Sequence, residues 1–313
     1  MAKPYLNVDQ QIQNLVSRKG LIVNDVPFAK RKLTDISYVS LIGGYKVPFI
    51  DSMTRKYVGD TTFEDIVALY RFDKDLRLLT FGCLTTAEEK MRQLVVDAFC
   101  SRFGEQQAAY LDAKNYRSES AYSKSVSKLI NGYLKKAVTD QEHSYIVHQR
   151  RSHHNVPLWN TLKILTFGSI SKMYSLLQYH QRAQVAGEFP FNTDRTLASA
   201  IDCMTYFRNV CAHNERLFTF QLNQRTFPDT PLHQKLGIPK KGNEYIVGKK
   251  DYFGLVIALR YILPRDEFLI YKRQLKRLID SYSRKNSRIP KADLLKMMGM
   301  PSNWENITRY RLQ

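Results

Sequence analysis

Apolar residues recur along this chain at helical rather than alternating spacing. Between Asp9 and Lys19, Ile12, Leu15 and Val16 make one stripe, and Gly20 stands where a helix would stop. The stretch from Ile36 to Phe49 is richer in Gly, Tyr and β-branched residues and predicts a loop with a short extended piece. Thr61 and Glu64 have capping-box spacing, opening a helix that carries Ile66, Leu69, Tyr70 and Phe72. Its pattern continues through Leu76, Leu79, Leu84, Met91, Leu94, Val95 and Phe99 to about Arg102, with an interruption expected near Gly82. A polar stretch from Asp112 to Ser120 precedes a helix from Tyr122 to His148, followed by a basic loop from Gln149 to Val156. Pro157 suits the first turn of a strongly apolar helix that includes Trp159, Leu162, Ile164, Leu165, Ile170, Met173, Leu176 and Leu177. Asp194 caps a helix containing Leu197, Ile201, Met204 and Phe207, and a loop from Gln221 to Lys241 leads to a last helical region, Tyr252 to Ser281. One short helix is expected near Asp293, and short strands remain open near Val47 and Tyr245. The prediction is an all-α protein: a helical bundle over 61–220, an N-terminal helical arm over 1–60 and a basic C-terminal helical region over 221–313.

Charge adds what the pattern cannot. The 313 residues include 48 Lys and Arg against 29 Asp and Glu, a net charge of +19. From Gln234 to Gln313 there are 18 basic residues against 7 acidic ones, so more than half of the excess falls in the last quarter of the chain. A polyanionic partner fits this balance, because each phosphate neutralised releases counterions. Nucleic acid is therefore the favoured partner; a generically basic surface is the plainer reading. No apolar run approaches the length of a membrane span, and the opening residues lack a signal peptide's apolar stretch, so a soluble, cytoplasmic protein with no membrane partner is expected. Cys83, Cys100, Cys203 and Cys211 form no C-x-x-C pair, and the last two, eight apart on one helical face, read as small core residues. His153 and His154 have no companion ligands at metal-binding spacing. No Walker A loop or G-x-G-x-x-G is present. Neither a structural metal nor a cofactor is expected.

The most informative run is Tyr206 to Arg216, which contains Arg208-Asn209 followed by His213. On a helix Asn209 and His213 are four apart and share a face, with Arg208 one step round. These residue types suit RNA cleavage. A neutral imidazole can take the 2′-hydroxyl proton and an imidazolium can protonate the leaving 5′-oxygen, while an arginine fork stabilises the phosphorane. The nucleophile is the RNA's own 2′-OH, which leaves a 2′,3′-cyclic phosphate and needs no metal. Taken alone, R-x-x-x-x-H is weak evidence in so basic a chain.

The surrounding blocks strengthen it. Lys3-Pro4-Tyr5-Leu6, Gln10-Gln11-Ile12 and Gly20-Leu21-Ile22 are followed by Gly44-Tyr45 with Pro48-Phe49. Next come Phe63-Glu64-Asp65-Ile66, Leu69-Tyr70-Arg71-Phe72-Asp73 and Leu76-Arg77, then Glu88 with Arg92. Pro157-Leu158-Trp159 with Thr166-Phe167-Gly168, and Arg208-Asn209 with Cys211-Ala212-His213-Asn214 and Arg216-Leu217, complete the order. From Lys3 to about Leu263 the chain resembles the Abi-like proteins of bacterial phage defence (the AbiD/AbiF abortive-infection family), which carry a HEPN domain. The resemblance implies a HEPN-type bundle and a toxin-like endoribonuclease with Arg208, Asn209 and His213 as its catalytic set. It also implies a homodimer in which two such motifs face each other, and a structured noncoding RNA as a restraining partner. A dimer with the motif helix at its interface predicts exposed apolar area beside Phe207 or Val210. Lys163 departs from the pattern, standing where the family often has glutamate.

Other residues are expected around this set. Glu88 and Arg92, one turn apart, fit either an intrahelical ion pair or support for the Arg208/His213 pocket. Arg150 and Arg151 belong to a solvated basic loop or to a phosphate-binding one. Lys272, Arg273, Lys276, Arg277, Arg284 and Lys285 are expected to hold RNA, with Tyr271 and other tyrosines available for base stacking. The alternative to a nuclease is a catalytically inactive HEPN-fold RNA-binding or scaffold protein. A third reading, nucleotidyl transfer onto the motif, stays open through Tyr206.

Overall fold

The structure is a computed structural model and describes residues 4–191, 193–285 and 288–312. Lys3 of the first sequence block lies outside the described residues. Apart from one two-stranded hairpin, β1 (Lys240–Lys241) and β2 (Glu244–Tyr245), the named elements are helical, as the periodicity predicts. The sequence chemistry of each helix start explains where it begins. In α1 (Val8–Ser17), Asn7 and Gln10 exchange side chain-to-backbone bonds of 2.9 and 3.0 Å, a complete capping box. Helix α2 (Val26–Ile36), which the pattern did not reveal, is capped by Asp25 and carries Pro27 in its first turn. The following stretch is not extended: it forms a π turn, Val39–Gly43, and a 3₁₀ turn, Val47–Phe49.

Helix α3 (Phe63–Phe103) is a continuous rod about 60 Å long. Its cap is Thr62 with Asp65, one residue later than the Thr61/Glu64 pair expected, because the Thr61 hydroxyl bonds the Val58 carbonyl. Gly82 does not interrupt it. The glycine faces solvent and costs only about 1 kcal/mol there, while buried Leu76, Thr80, Leu84 and Ala87 pack the opposite face.

The middle of the chain is more broken than its periodicity suggests. After α4 (Gln107–Tyr110), the expected single helix divides into α5 (Ser120–Leu129), a π turn, α6 (Lys135–Val138) and α7 (Ser144–His153). Asp140 makes the break, accepting the amides of Glu142 and His143 through its side chain. Consequently the basic residues 149–153, expected in a loop, are the end of α7, which closes on His154 in the left-handed region. The next apolar run splits into α8 (Leu158–Lys163) and α9 (Phe167–Leu176), since Thr166 caps a new start; Pro157 sits just before α8 rather than in its first turn. Helix α10 (Tyr179–Gly187) precedes α11 (Asp194–Ala212), whose cap is Thr193; Asp194 instead pairs with Arg182 at 3.1 Å. Beyond α12 (Pro231–Lys235), Pro264 forces Leu263 out of helical geometry and separates α13 (Tyr252–Ile262) from α14 (Arg265–Lys285). The short α15 (Lys291–Met297) is where Asp293 predicted it.

Helix α3 is the axis of the bundle and touches α8, α9, α10, α11, α13 and α14. Helix α14 runs antiparallel to it: Phe72 meets Tyr282 near one end, and Glu267 lies near Cys83 further along. Buried apolar residues form one continuous cluster from Ile12 to Ile307, so both flanking regions share the bundle's core. Cys203 and Cys211 are part of it. Among the described residues, no helix is long and apolar enough to cross a membrane.

Candidate active site at the end of the motif helix

Phe207, Val210 and Cys211 face inward on the last turns of α11. Phe207 packs edge-on against Phe220 at 5.0 Å and lies 5.7 Å from Phe227. Burying such a ring is worth about 1.5–3 kcal/mol, which fixes the rotation of the helix. That rotation leaves Asn209 and His213 exposed and Arg208 half-buried at the edge. The chain after the motif folds back over Phe207, so the exposed apolar area expected beside Phe207 or Val210 is limited to a neighbouring ring. Both are buried, and the exposed neighbour is Tyr206, with the Arg225 guanidinium 4.8 Å from its ring centroid.

Arg208 is oriented from α3. Its Nε lies 3.4 Å from Glu88 Oε2, an ion pair without an aligned hydrogen bond, and its guanidinium sits 5.7 Å from the Phe81 ring. The other oxygen of Glu88 accepts Arg92 Nη2 at 2.9 Å, and Arg92 Nε donates to the Leu162 carbonyl at 3.0 Å. Glu88 and Arg92 therefore pair within their helix, and Glu88 also reaches Arg208. One buried carboxylate between two arginines leaves a net positive charge on this cluster, and Asn209 and His213 are solvent-exposed. Among the described residues, neither of those two side chains has a hydrogen-bond partner.

His213 is the C-cap of α11, and the helix ends in a Schellman motif. Asn214 adopts φ +55°, Glu215 N–H donates to the Val210 carbonyl at 3.0 Å, and Asn214 N–H donates to Cys211 at 3.3 Å. Asparagine is the side chain that best tolerates this left-handed position after glycine.

The exit from the helix is held by a buried network that the sequence reading missed. Asp73 accepts from the Leu217 amide at 3.0 Å, the Phe218 amide at 2.7 Å, the Tyr45 hydroxyl at 2.7 Å and Arg77 Nη1 at 2.6 Å. Arg77 Nη1 also donates to the Glu215 carbonyl at 3.3 Å, and Arg216 Nη1 to the Gly44 carbonyl at 2.7 Å. Burial raises the Asp73 carboxyl above its ordinary range, against the pull of Tyr45, Leu217, Arg77 and Phe218. The signal was available: Asp73 and Arg77, one turn apart, interrupt an apolar stripe that Leu69, Phe72 and Leu76 otherwise fill.

The remaining predicted residues lie elsewhere. Arg150 clamps the break before α7, donating to the carbonyls of Val138 and Asp140 at 2.7 and 3.0 Å, whereas Arg151 is exposed. On α14, Lys272 Nζ bonds Thr308 and the Glu305 carbonyl, and Lys276 pairs with Glu305 and Asp280 at 2.9 and 3.0 Å. Arg273, Arg277, Arg284 and Lys285 are exposed. Arg277 and Arg284, with Asp280, Ser283 and Lys291, line an open cavity of about 400 Å³. Among the described residues no group of three or more His, Cys, Asp or Glu is placed to hold a metal ion.

The model of the family described as Abi-like protein matches residues 31–219, which spans α3, the Asp73 network and the whole motif helix. The chain belongs to the Abi-like protein family. Membership implies abortive-infection phage defence. The match ends beside Phe218, so the basic region carrying α14 lies outside the part that defines an Abi-like protein. No curated protein and no solved structure matches the chain.

Proposed function

We propose that this Abi-like protein is a HEPN-type, metal-independent endoribonuclease whose active site is the Arg208-Asn209-His213 set. The observation that carries the reading is the pairing of Arg208 with buried Glu88, beside an Asn209 and a His213 whose side chains have no hydrogen-bond partner among the described residues. An arginine held by a buried carboxylate is pre-oriented for the charge that develops on a phosphorane. Exposed Asn209 and His213 remain available to substrate. In the reaction the 2′-oxygen forms a bond to phosphorus as a base takes its proton. The bond from phosphorus to the 5′-oxygen breaks, and an acid protonates the departing oxygen.

One chain contributes one His213 to that exchange, and cleavage uses both a base and an acid. The proposal therefore includes a homodimer, with His213 as base and the partner's His213 as acid across a two-fold axis. A chain that stays monomeric by light scattering at working concentration, yet cleaves RNA, overturns the composite site. The charge of +19 supports RNA as substrate and a structured noncoding RNA as a second, restraining partner.

The experiment is cleavage of an end-labelled RNA pool in EDTA by the wild type and by His213→Ala, at matched fold and RNA affinity. Cleavage by the wild type alone is expected. Equal, negligible cleavage by both forms favours the RNA-binding or scaffold reading instead.

A further inference from the structure

The catalytic set makes no use of the surface that α7 and α8 build beyond Arg92. There, Lys163 at the end of α8 places its Nζ 5.1 Å from the centroid of the Tyr145 ring on α7. Lys163 is exposed, Tyr145 is half-buried, and Trp159, one turn earlier on α8, is 50% exposed. Among the described residues Lys163 has no carboxylate or hydrogen-bond partner: its ammonium sits over the Tyr145 ring, which His143 meets edge-on at 5.6 Å, and its charge stays open to an anion. This pair is tied to the motif by a short relay. Leu162, adjacent to Lys163 in the chain, supplies the carbonyl that anchors Arg92, and Arg92 joins Arg208 through Glu88. Arg92 is also close enough to Tyr145 to pull its hydroxyl down, against burial and Asp140, which raise it.

An unpaired cation next to an accessible aromatic ring is how proteins hold single-stranded nucleic acid, with the phosphate on the charge and the base on the ring. We propose that Lys163 and Tyr145 form a nucleotide subsite flanking the Arg208–His213 site, Lys163 taking a phosphate beside the scissile one and Tyr145 stacking on its base. The subsite rests on the nuclease reading for its purpose. It gives Lys163 a role: a glutamate there would face the same phosphate with the wrong charge.

The test uses the full chain carrying His213→Ala, so that RNA is bound and not cut, with a fluorescein-labelled oligouridylate dodecamer as probe. Lys163→Ala should lower the slope of log affinity against log salt by about 0.7, the value of one lost phosphate contact on a single strand. Lys163→Glu should weaken binding by more than about tenfold at low salt. Tyr145→Leu should weaken it about fivefold or more, and Tyr145→Phe, which keeps the ring, should restore it. Unchanged affinity and salt slope in Lys163→Ala and Tyr145→Leu, with a lowered unfolding temperature, reduces the pair to a packing contact and overturns the subsite alone. Failure of the His213→Ala parent to bind the probe overturns the subsite and the nuclease reading together. Intact binding with no cleavage by the wild type overturns only the nuclease.

Discussion

The end of α11 and the exposed length of α14 are both rich in positive charge, yet the two regions hold it differently. At the end of α11, Arg208 is ion-paired with a carboxylate that is itself buried, and the chain beyond is pinned by Asp73 through two backbone amides. Along α14, Lys272 and Lys276 are spent on Glu305, Thr308 and Asp280, while Arg273, Arg277 and Arg284 project to solvent. A buried partner orients a cation at low entropic cost; a surface partner mostly screens it. The first arrangement suits chemistry at a defined atom, and the second suits loose attraction of a polyanion.

The sharpest way to break this contrast is Asp73→Ala. It leaves Arg77 buried without its counter-charge and frees the amides of Leu217 and Phe218, which should cost about 3–5 kcal/mol in denaturant unfolding. Glu88→Gln probes the same region at a milder level. It should keep the fold and most RNA affinity while lowering kcat by roughly tenfold to a hundredfold, because Arg208 loses its orientation. A fall in RNA affinity with kcat unchanged would assign Glu88 to binding instead.

Asp251 offers a third comparison, since it is a buried carboxylate held by backbone amides rather than by a cation. It caps α13 and accepts from Gly248 and Gly254. Burial pushes its carboxyl up to about 6, from an ordinary value of 3.8. The folded value lies above the unfolded one, so this group's contribution is full below about pH 4 and is lost as pH rises through about 6. The change is on the order of 1–3 kcal/mol. Unfolding midpoints measured across that window should decline, and Asp251→Asn should flatten the decline.

The smallest effects belong to α14. Arg277→Ala and Arg284→Ala should each lower the salt slope of RNA binding by about 0.7 without changing stability. Lys276→Ala, whose charge is already paired twice, should change the slope less. Equal slopes for all three would erase the distinction between cations exposed to solvent and cations paired with carboxylates.

Much of this was readable in the residues. The apolar spacing located α3, α11, α13 and α14, and the run from Arg208 to His213 marked the candidate site. Glu88 and Arg92 stood out one turn apart, and the structure brings Glu88 to Arg208. Helix breaks were harder to read, because Asp140, Thr166 and Pro264 stop helices through local bonds or backbone clashes that leave apolar periodicity intact. The Asp73 network was legible only in part: Asp73 and Arg77 interrupt an apolar stripe, but the other partners lie 28 to 145 residues away in sequence. A count of lysines and arginines likewise carries no record of which ones already have partners.

The most direct test is the chemistry of the cut ends. RNA incubated with the wild-type protein should yield fragments with 2′,3′-cyclic phosphates and 5′-hydroxyls, and His213→Ala should yield none. Fragments bearing 5′-phosphates and 3′-hydroxyls would mean that water, not the 2′-hydroxyl, is the nucleophile, and would contradict the assignment of Arg208 and His213.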